Sequence, residues 1–231
     1  MIYNILLTLI CWFIQLINGP TKIDIDEAFD PEANYLVVGP HRSILDPIFI
    51  AMALRPKQMA FMAKKELLAN KFLTWFFTTI NIIPVDREKP SASTIKQAVR
   101  TIKEGEKYVG LFPTGSRYSD EIKDGAVSMA KMGKAEILPV TYQGPVGIRD
   151  LFTWKKANRA KVRVGRPIQL PDVKRLSDED NKAINQAIKD AFIENDRILD
   201  PNYTYDLAGA VAKRDAKHAK KSQKINRQYK L

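Results

Sequence analysis

At 231 residues, 45% of them hydrophobic, the chain is long enough for one domain with a real core. Its single cysteine, Cys11, excludes an intramolecular disulfide and a cysteine-cluster metal site. The formal net charge of +11 is concentrated at one end, where residues 207–231 carry eight Lys/Arg against Asp215 alone. Such a tail either seeks polyanions (nucleic acid or an anionic membrane surface) or is a solvated, partly helical appendage.

The first segment, "MIYNILLTLICWFIQLING", is uncharged from Ile2 to Gly19. As a helix, residues 2–17 span roughly 24 Å at ~1.5 Å per residue, short of the ~30 Å hydrocarbon core of a bilayer. No basic residue precedes the apolar run and "INGP" is a poor cleavage site, which argues against a secretory signal. Trp12 and Phe13 beside Ile10 and Ile14 leave no polar face, so residues 1–19 are expected as a membrane-embedded apolar helix with lipid on most sides.

After Pro20, strand-like and helix-like runs alternate. "YLVVG" reads as a buried strand, "PIFIAMAL" as a short helix and "QMAFMA" as a strand; "LLANKFLTWFFTTINII" is helical and greasy, and "NIIPV" is a strand. "STIKQAVRTIKEG" places Ile95, Ala98, Val99 and Ile102 on one helical face, with Ser93 as the cap and Gly105 as the stop. "YVGLFP", "AEILPVTY" and "AKVRVGRPI" are strands, and "AVSMAKM" is a helix. Residues 180–195 form a surface helix with Ile184, Ala187, Ile188, Ala191 and Phe192 facing inward, a structural element. This alternation predicts one α/β domain, residues 20–206, with a largely parallel central sheet flanked by helices, followed by the basic tail 207–231.

"GPHRSILDP" follows the first buried strand and holds His41, one of two histidines. Asp46 before Pro47 is by itself a good helix start, a carboxylate cap with proline at the first helical position. The same carboxylate can reach the imidazole across the turn, hold its tautomer and leave the other ring nitrogen as a general base. Loops at the C-terminal ends of parallel strands are where α/β proteins carry their chemistry. "FMAKKEL" brings Lys64 and Lys65 to the same end of the sheet, "NIIPVDR" brings Arg87, and "LFPTGSRYS" brings Gly115, Ser116 and Arg117. Cations beside the backbone amides of a glycine turn suit a phosphate monoester. "PTGSRY" lacks the G-x-S-x-G elbow, which argues against Ser116 as a hydrolase nucleophile.

The order "PHRSILDP", "AKKEL", "IIPVDR", "FPTGSR" and "ILPV" resembles the glycerolipid acyltransferases, most closely the bacterial 1-acyl-glycerol-3-phosphate acyltransferases. The resemblance covers residues 34–142: His41 and Asp46 fit the H-x-x-x-x-D motif, Arg87 the arginine of the second motif and Pro139 the proline of the fourth. Two positions depart, Pro40 standing where asparagine is common and Thr114 where the third motif, F-P-E-G-T-R, has glutamate. That glutamate is associated with acceptor binding, so the acceptor stays open.

The resemblance implies a glycerol-3-phosphate acyltransferase-like fold and an O-acyltransferase. His41 would deprotonate the free hydroxyl of a lysophospholipid as it attacks an acyl thioester, with Asp46 orienting it. Lys64, Arg87 and Arg117 would bind the acceptor phosphate, and Thr114, Gly115 and Ser116 would line the acceptor side. The donor would be acyl-CoA or acyl-carrier protein, with no metal and no other cofactor, acting at the cytoplasmic face of the membrane. Glycerol-3-phosphate or another lysolipid stays open as acceptor. So does a non-catalytic membrane-surface protein, while nucleic-acid binding ranks last, since Tyr229 alone in the tail could stack on a base.

Overall fold

The computed structural model describes residues 2–86, 89–152 and 158–228. A helix, α1 (Ile2–Asn18), leads into β1 (Lys22–Ile25), β2 (Tyr35–Val38), α2 (Asp46–Ala53) and β3 (Gln58–Lys64). A 3₁₀ turn at Lys65–Leu68 precedes α3 (Lys71–Thr79), β4 (Ile83–Val85), α4 (Ala92–Glu104) and β5 (Lys107–Leu111). Then come α5 (Gly125–Gly133), β6 (Glu136–Gln143), a 3₁₀ turn at Ile148–Phe152, β7 (Lys161–Val164), α6 (Asp178–Leu199) and α7 (Leu207–Gln228).

The strands form one sheet in the order β1-β7-β6-β2-β5-β3-β4. From β6 to β4 all neighbours are parallel; β7 runs antiparallel to β6, and β1 lies parallel to β7. The "YLVV" of β2 shows why its apolar run is unbroken. Tyr35 and Val37 join a core beneath α1 and α2, while Leu36 and Val38 join a second core beneath α4, α5 and α6. A strand covered on both faces has no polar side to alternate with. The sheet therefore has an α1/α2 face and an α4/α5/α6 face.

Several local expectations need correction. The cap of α4 is Ser91, not Ser93: the Ser91 hydroxyl accepts the Thr94 amide at 3.2 Å, three residues on, as a cap must. Ser93 instead pairs its hydroxyl with that of Ser91. Gly105 does end the helix, in a left-handed conformation with φ of +69°. The greasy run at 67–83 is helical only from Lys71 to Thr79, where Asn70 caps it by accepting the Leu73 amide at 2.9 Å.

The N-terminal helix packs one of its faces on the domain. Tyr3, Leu7, Cys11, Ile14 and Asn18, spaced three and four apart, form a stripe buried against the domain. Tyr3 accepts the Met59 amide, and Asn18 accepts the Ala160 amide while donating to the Leu151 carbonyl. A helix apolar all round conceals from its sequence which face meets protein. The remaining faces, including Leu9, Trp12 and Leu16, are open; Trp12 is 65% exposed. None of the described helices is long and apolar enough to cross a membrane.

Candidate active site

β2 delivers the chain to the C-terminal edge of the sheet, and residues 39–45 turn it into α2. His41 Nδ1 lies 3.0 Å from Asp46 Oδ2, and that same oxygen accepts the amides of Arg42 and Ser43 at 2.8 Å each. Asp46 is not the cap of α2, as expected, but its first residue, and its carboxylate reaches back into the loop. It is 1% exposed, and its Oδ1 is buried without a hydrogen-bond partner among the described residues. With Nδ1 turned to the carboxylate, Nε2 is left as the basic nitrogen of His41.

The imidazole is held from the side by Phe112, stacked at 4.3 Å between centroids, and Phe112 is backed in turn by Phe61 at 6.0 Å. Ser43 anchors the loop. Its hydroxyl donates to the Val146 carbonyl at 2.8 Å and accepts the Leu45 amide at 2.9 Å.

After β5, the Gly115 amide donates to the Phe112 carbonyl and closes a tight turn, with Gly115 at φ of +68°. That left-handed backbone is what requires glycine there. Thr114 is buried, donates to the Ser116 carbonyl and lines a cavity of about 370 Å³ together with His41. Ser116 accepts the Tyr118 amide, and the Arg117 guanidinium lies 5.9 Å from the Tyr118 ring. Gly115 lines a separate cavity of about 360 Å³ with Met62, Leu111, Phe112, Met129 and Met132. That cavity is largely apolar, and it takes no side chain from the greasy run at 67–83.

Lys64 ends β3, two strands from β2, or roughly 10 Å at ~4.8 Å per strand. It is exposed and pairs with Glu66 at 3.4 Å, while Lys65 pairs with Asp86 at 2.7 Å. Exposed pairs of this kind bind weakly and yield readily to a stronger anion. Arg87 lies outside the described residues. Among the described residues no group of three His, Cys, Asp or Glu side chains is placed to hold a metal.

The sequence reading missed a second set of residues around the histidine loop. Arg42 makes a two-pronged pair with Asp196 of α6, at 2.9 and 2.7 Å, and Gln143 donates to the same carboxylate. The guanidinium also lies within 5.6 Å of the rings of Tyr203 and Tyr205. Burial works against the Arg42 charge, but the hydrogen bonds and charge of Asp196 outweigh it and hold the pKa above its ordinary value. Burial pushes Tyr203 up, against the opposing pull of Arg42. Tyr205 donates to the Arg117 carbonyl at 3.2 Å. So α6 is not merely structural: it and the strap that follows hold both the histidine loop and the glycine turn. Beside this set Asn195, polar in register with the apolar stripe of α6, donates to the Pro139 carbonyl of β6.

An acyltransferase family model matches residues 21–143, more than half of the chain. The chain belongs to the acyltransferase family. Among its acyltransferase relatives, the 1-acyl-sn-glycerol-3-phosphate acyltransferase of Streptococcus pneumoniae is 37% identical over 193 residues, 83% of this chain and 72% of the relative. That of Bacillus subtilis is 36% identical over 189 residues, 79% of this chain and 93% of the relative. The fold is that of the crystal structure of a 1-acyl-sn-glycerophosphate acyltransferase from Thermotoga maritima, with a TM-score of 0.53 at 18% identity, covering 81% of this chain and 80% of that one. The family match holds His41, Asp46, the glycine turn and Pro139; Asp196, Tyr203 and Tyr205 lie beyond it.

Proposed function

We propose that this acyltransferase moves a fatty acyl group from a thioester to the free hydroxyl of 1-acyl-glycerol-3-phosphate, forming phosphatidic acid for phospholipid synthesis. The observation that carries the reading is the His41–Asp46 contact at 3.0 Å, which leaves Nε2 beside a cavity. His41 Nε2 takes the hydroxyl proton as the oxygen attacks the thioester carbonyl. The C–O bond forms, the tetrahedral intermediate collapses, the C–S bond breaks, and the proton passes from the imidazolium to the departing thiolate. Asp46 stabilises the imidazolium through that cycle. The glycine turn with Arg117 and Lys64 at the end of β3, together with Arg87 of the second motif, receives the phosphate monoester. The donor is acyl-CoA or acyl-carrier protein.

The protein works at an anionic membrane surface, on the cytoplasmic face. Exposed Leu9, Trp12, Phe13 and Leu16 on α1 and Phe72 and Trp75 on α3 support this, together with the basic residues of 207–231. The helix lies in the interface rather than across it. Because Thr114 stands where the motif has glutamate, glycerol-3-phosphate or another lysophospholipid is the second reading for the acceptor.

Purified protein supplied with an acyl donor and a panel of acceptors tests this. Lysophosphatidate turnover is expected, with His41→Ala lowering kcat by about 10²–10⁴ while the melting temperature stays near wild type. Absence of turnover with every acceptor would favour a non-catalytic surface protein. Near-normal turnover by a folded His41→Ala protein would remove the mechanism.

A further inference from the structure

We infer that the cavity between His41 and α6 is the donor site, built for the phosphopantetheine arm that acyl-CoA and acyl-carrier protein share. This rests on the acyltransferase reading above. The cavity of about 370 Å³ runs from His41 and Thr114 to Phe192, Ile193 and Leu207, with Lys189 on its wall. That volume sits at the small end of the ~300–1,000 Å³ of ligand sites, room for a narrow arm rather than a whole coenzyme.

Three observations assign it to the donor. First, neither Lys64 nor Arg117 lines it among the described residues, and Lys64 lies toward the β3/β4 edge, away from α6; Thr114, from the acceptor side, lines it with His41, where the two substrates must meet. Second, its walls alternate in character as the arm does. Phe192, Ile193 and Leu207 offer apolar surface for the methylenes and the geminal dimethyl carbon. Asp120 lines the same cavity, but Lys189 has no ion-pair partner among the described residues and is placed for the phosphate, whereas Arg42 is already neutralised by Asp196. Third, it opens beside α6 on the α4/α5/α6 face, opposite the face on which α1 exposes its apolar side chains. A lysolipid arriving from a bilayer and a donor arriving from water then reach His41 from different sides. A cavity for a fatty chain should be lined almost wholly by apolar groups, as the methionine-rich one beside Gly115 is.

Ile193→Trp tests the assignment by filling the cavity. Ile193 is 66% exposed on the surface of α6, so a larger side chain costs the fold little. The expected result is a rise in KM of at least about tenfold for both acyl-CoA and acyl-carrier protein, with the lysophosphatidate KM unchanged. A rise confined to the lysophosphatidate KM overturns the proposal. A rise confined to acyl-carrier protein also overturns it, since that marks a protein-docking contact instead. Lys189→Ala keeps a good helix former and removes the cation. It should raise the KM of both natural donors roughly tenfold, the low end for a charge-assisted hydrogen bond, and spare acyl-pantetheine, which has no phosphate. Equal effects on all three donors overturn the phosphate assignment. If wild-type protein shows no turnover, the acyltransferase reading is what fails. Calorimetric titration with coenzyme A then decides the cavity alone: a Kd weakened at least tenfold by Ile193→Trp upholds the site, and an unchanged Kd overturns it.

Discussion

One oxygen atom, Oδ2 of Asp46, holds the imidazole of His41 and two loop amides at once. Asp46→Asn keeps an acceptor for the amides but loses the charge that balances an imidazolium. Its kcat should fall by about 10²–10⁴ with a nearly unchanged melting temperature, so a steady-state assay beside a thermal melt separates chemistry from folding. Asp46→Ala strips the amides as well, and each buried N–H left without a partner costs about 1–3 kcal/mol. Gly110, in the middle of β5, acts on the same imidazole indirectly. A Cβ there would lie 2.5 Å from the Phe61 ring and 2.7 Å from Met59, and Phe61 backs Phe112, which backs His41. Gly110→Ala should therefore cost about 1–3 kcal/mol through overpacking and lower kcat, although no reacting atom touches it. A variant with lower stability but intact kcat would show that the aromatic stack does not steer the histidine. Of these residues, His41 and Asp46 were legible in the sequence because four residues separate them in a short loop after a buried strand. The role of Arg42 was not, since its partner Asp196 is 154 positions away.

At the scale of elements, the end of α6 and the strap from Asp200 to Leu207 bind two loops that the sheet presents separately. Asp196→Ala leaves the Arg42 guanidinium partly buried and unpaired. Losing one partner of a buried pair costs about 3–5 kcal/mol, and the modest exposure of both groups places this one near ~3 kcal/mol. Chemical denaturation measures that loss. Asp196→Asn, which keeps one hydrogen-bond acceptor, should recover part of it. Most strands were readable because β2, β5 and β6 are apolar on both faces. The direction of β7 was not, because side-chain periodicity is the same in parallel and antiparallel strands. The short α3 was overextended in the reading because its flanks are as apolar as the helix itself.

For the molecule as a whole, the two faces of the sheet carry different surfaces. Leu9→Glu, Trp12→Glu and Leu16→Glu together alter only the exposed side of α1, leaving the buried stripe of Leu7, Cys11 and Ile14 in place. The triple variant should melt near wild type yet lose its binding to anionic vesicles at high salt, where the ~8 Å Debye length of physiological salt is shortened further. Residual binding at low salt should persist through the basic tail. Cosedimentation across a salt series reads both signals. Deleting residues 1–18 is a poorer test, because it also uncovers the core. The position of the strap in the chain has a temporal consequence. Every motif residue has been polymerised once β6 ends at Gln143, but Asp196 and Tyr205 follow some sixty residues later. At ~5–20 residues per second, translation needs roughly 3–12 s to supply them. For that interval a nascent chain carries its histidine and aspartate with Arg42 unpaired and the glycine turn untethered. Synthesis of the strap, rather than of the motifs, is the step that completes the centre.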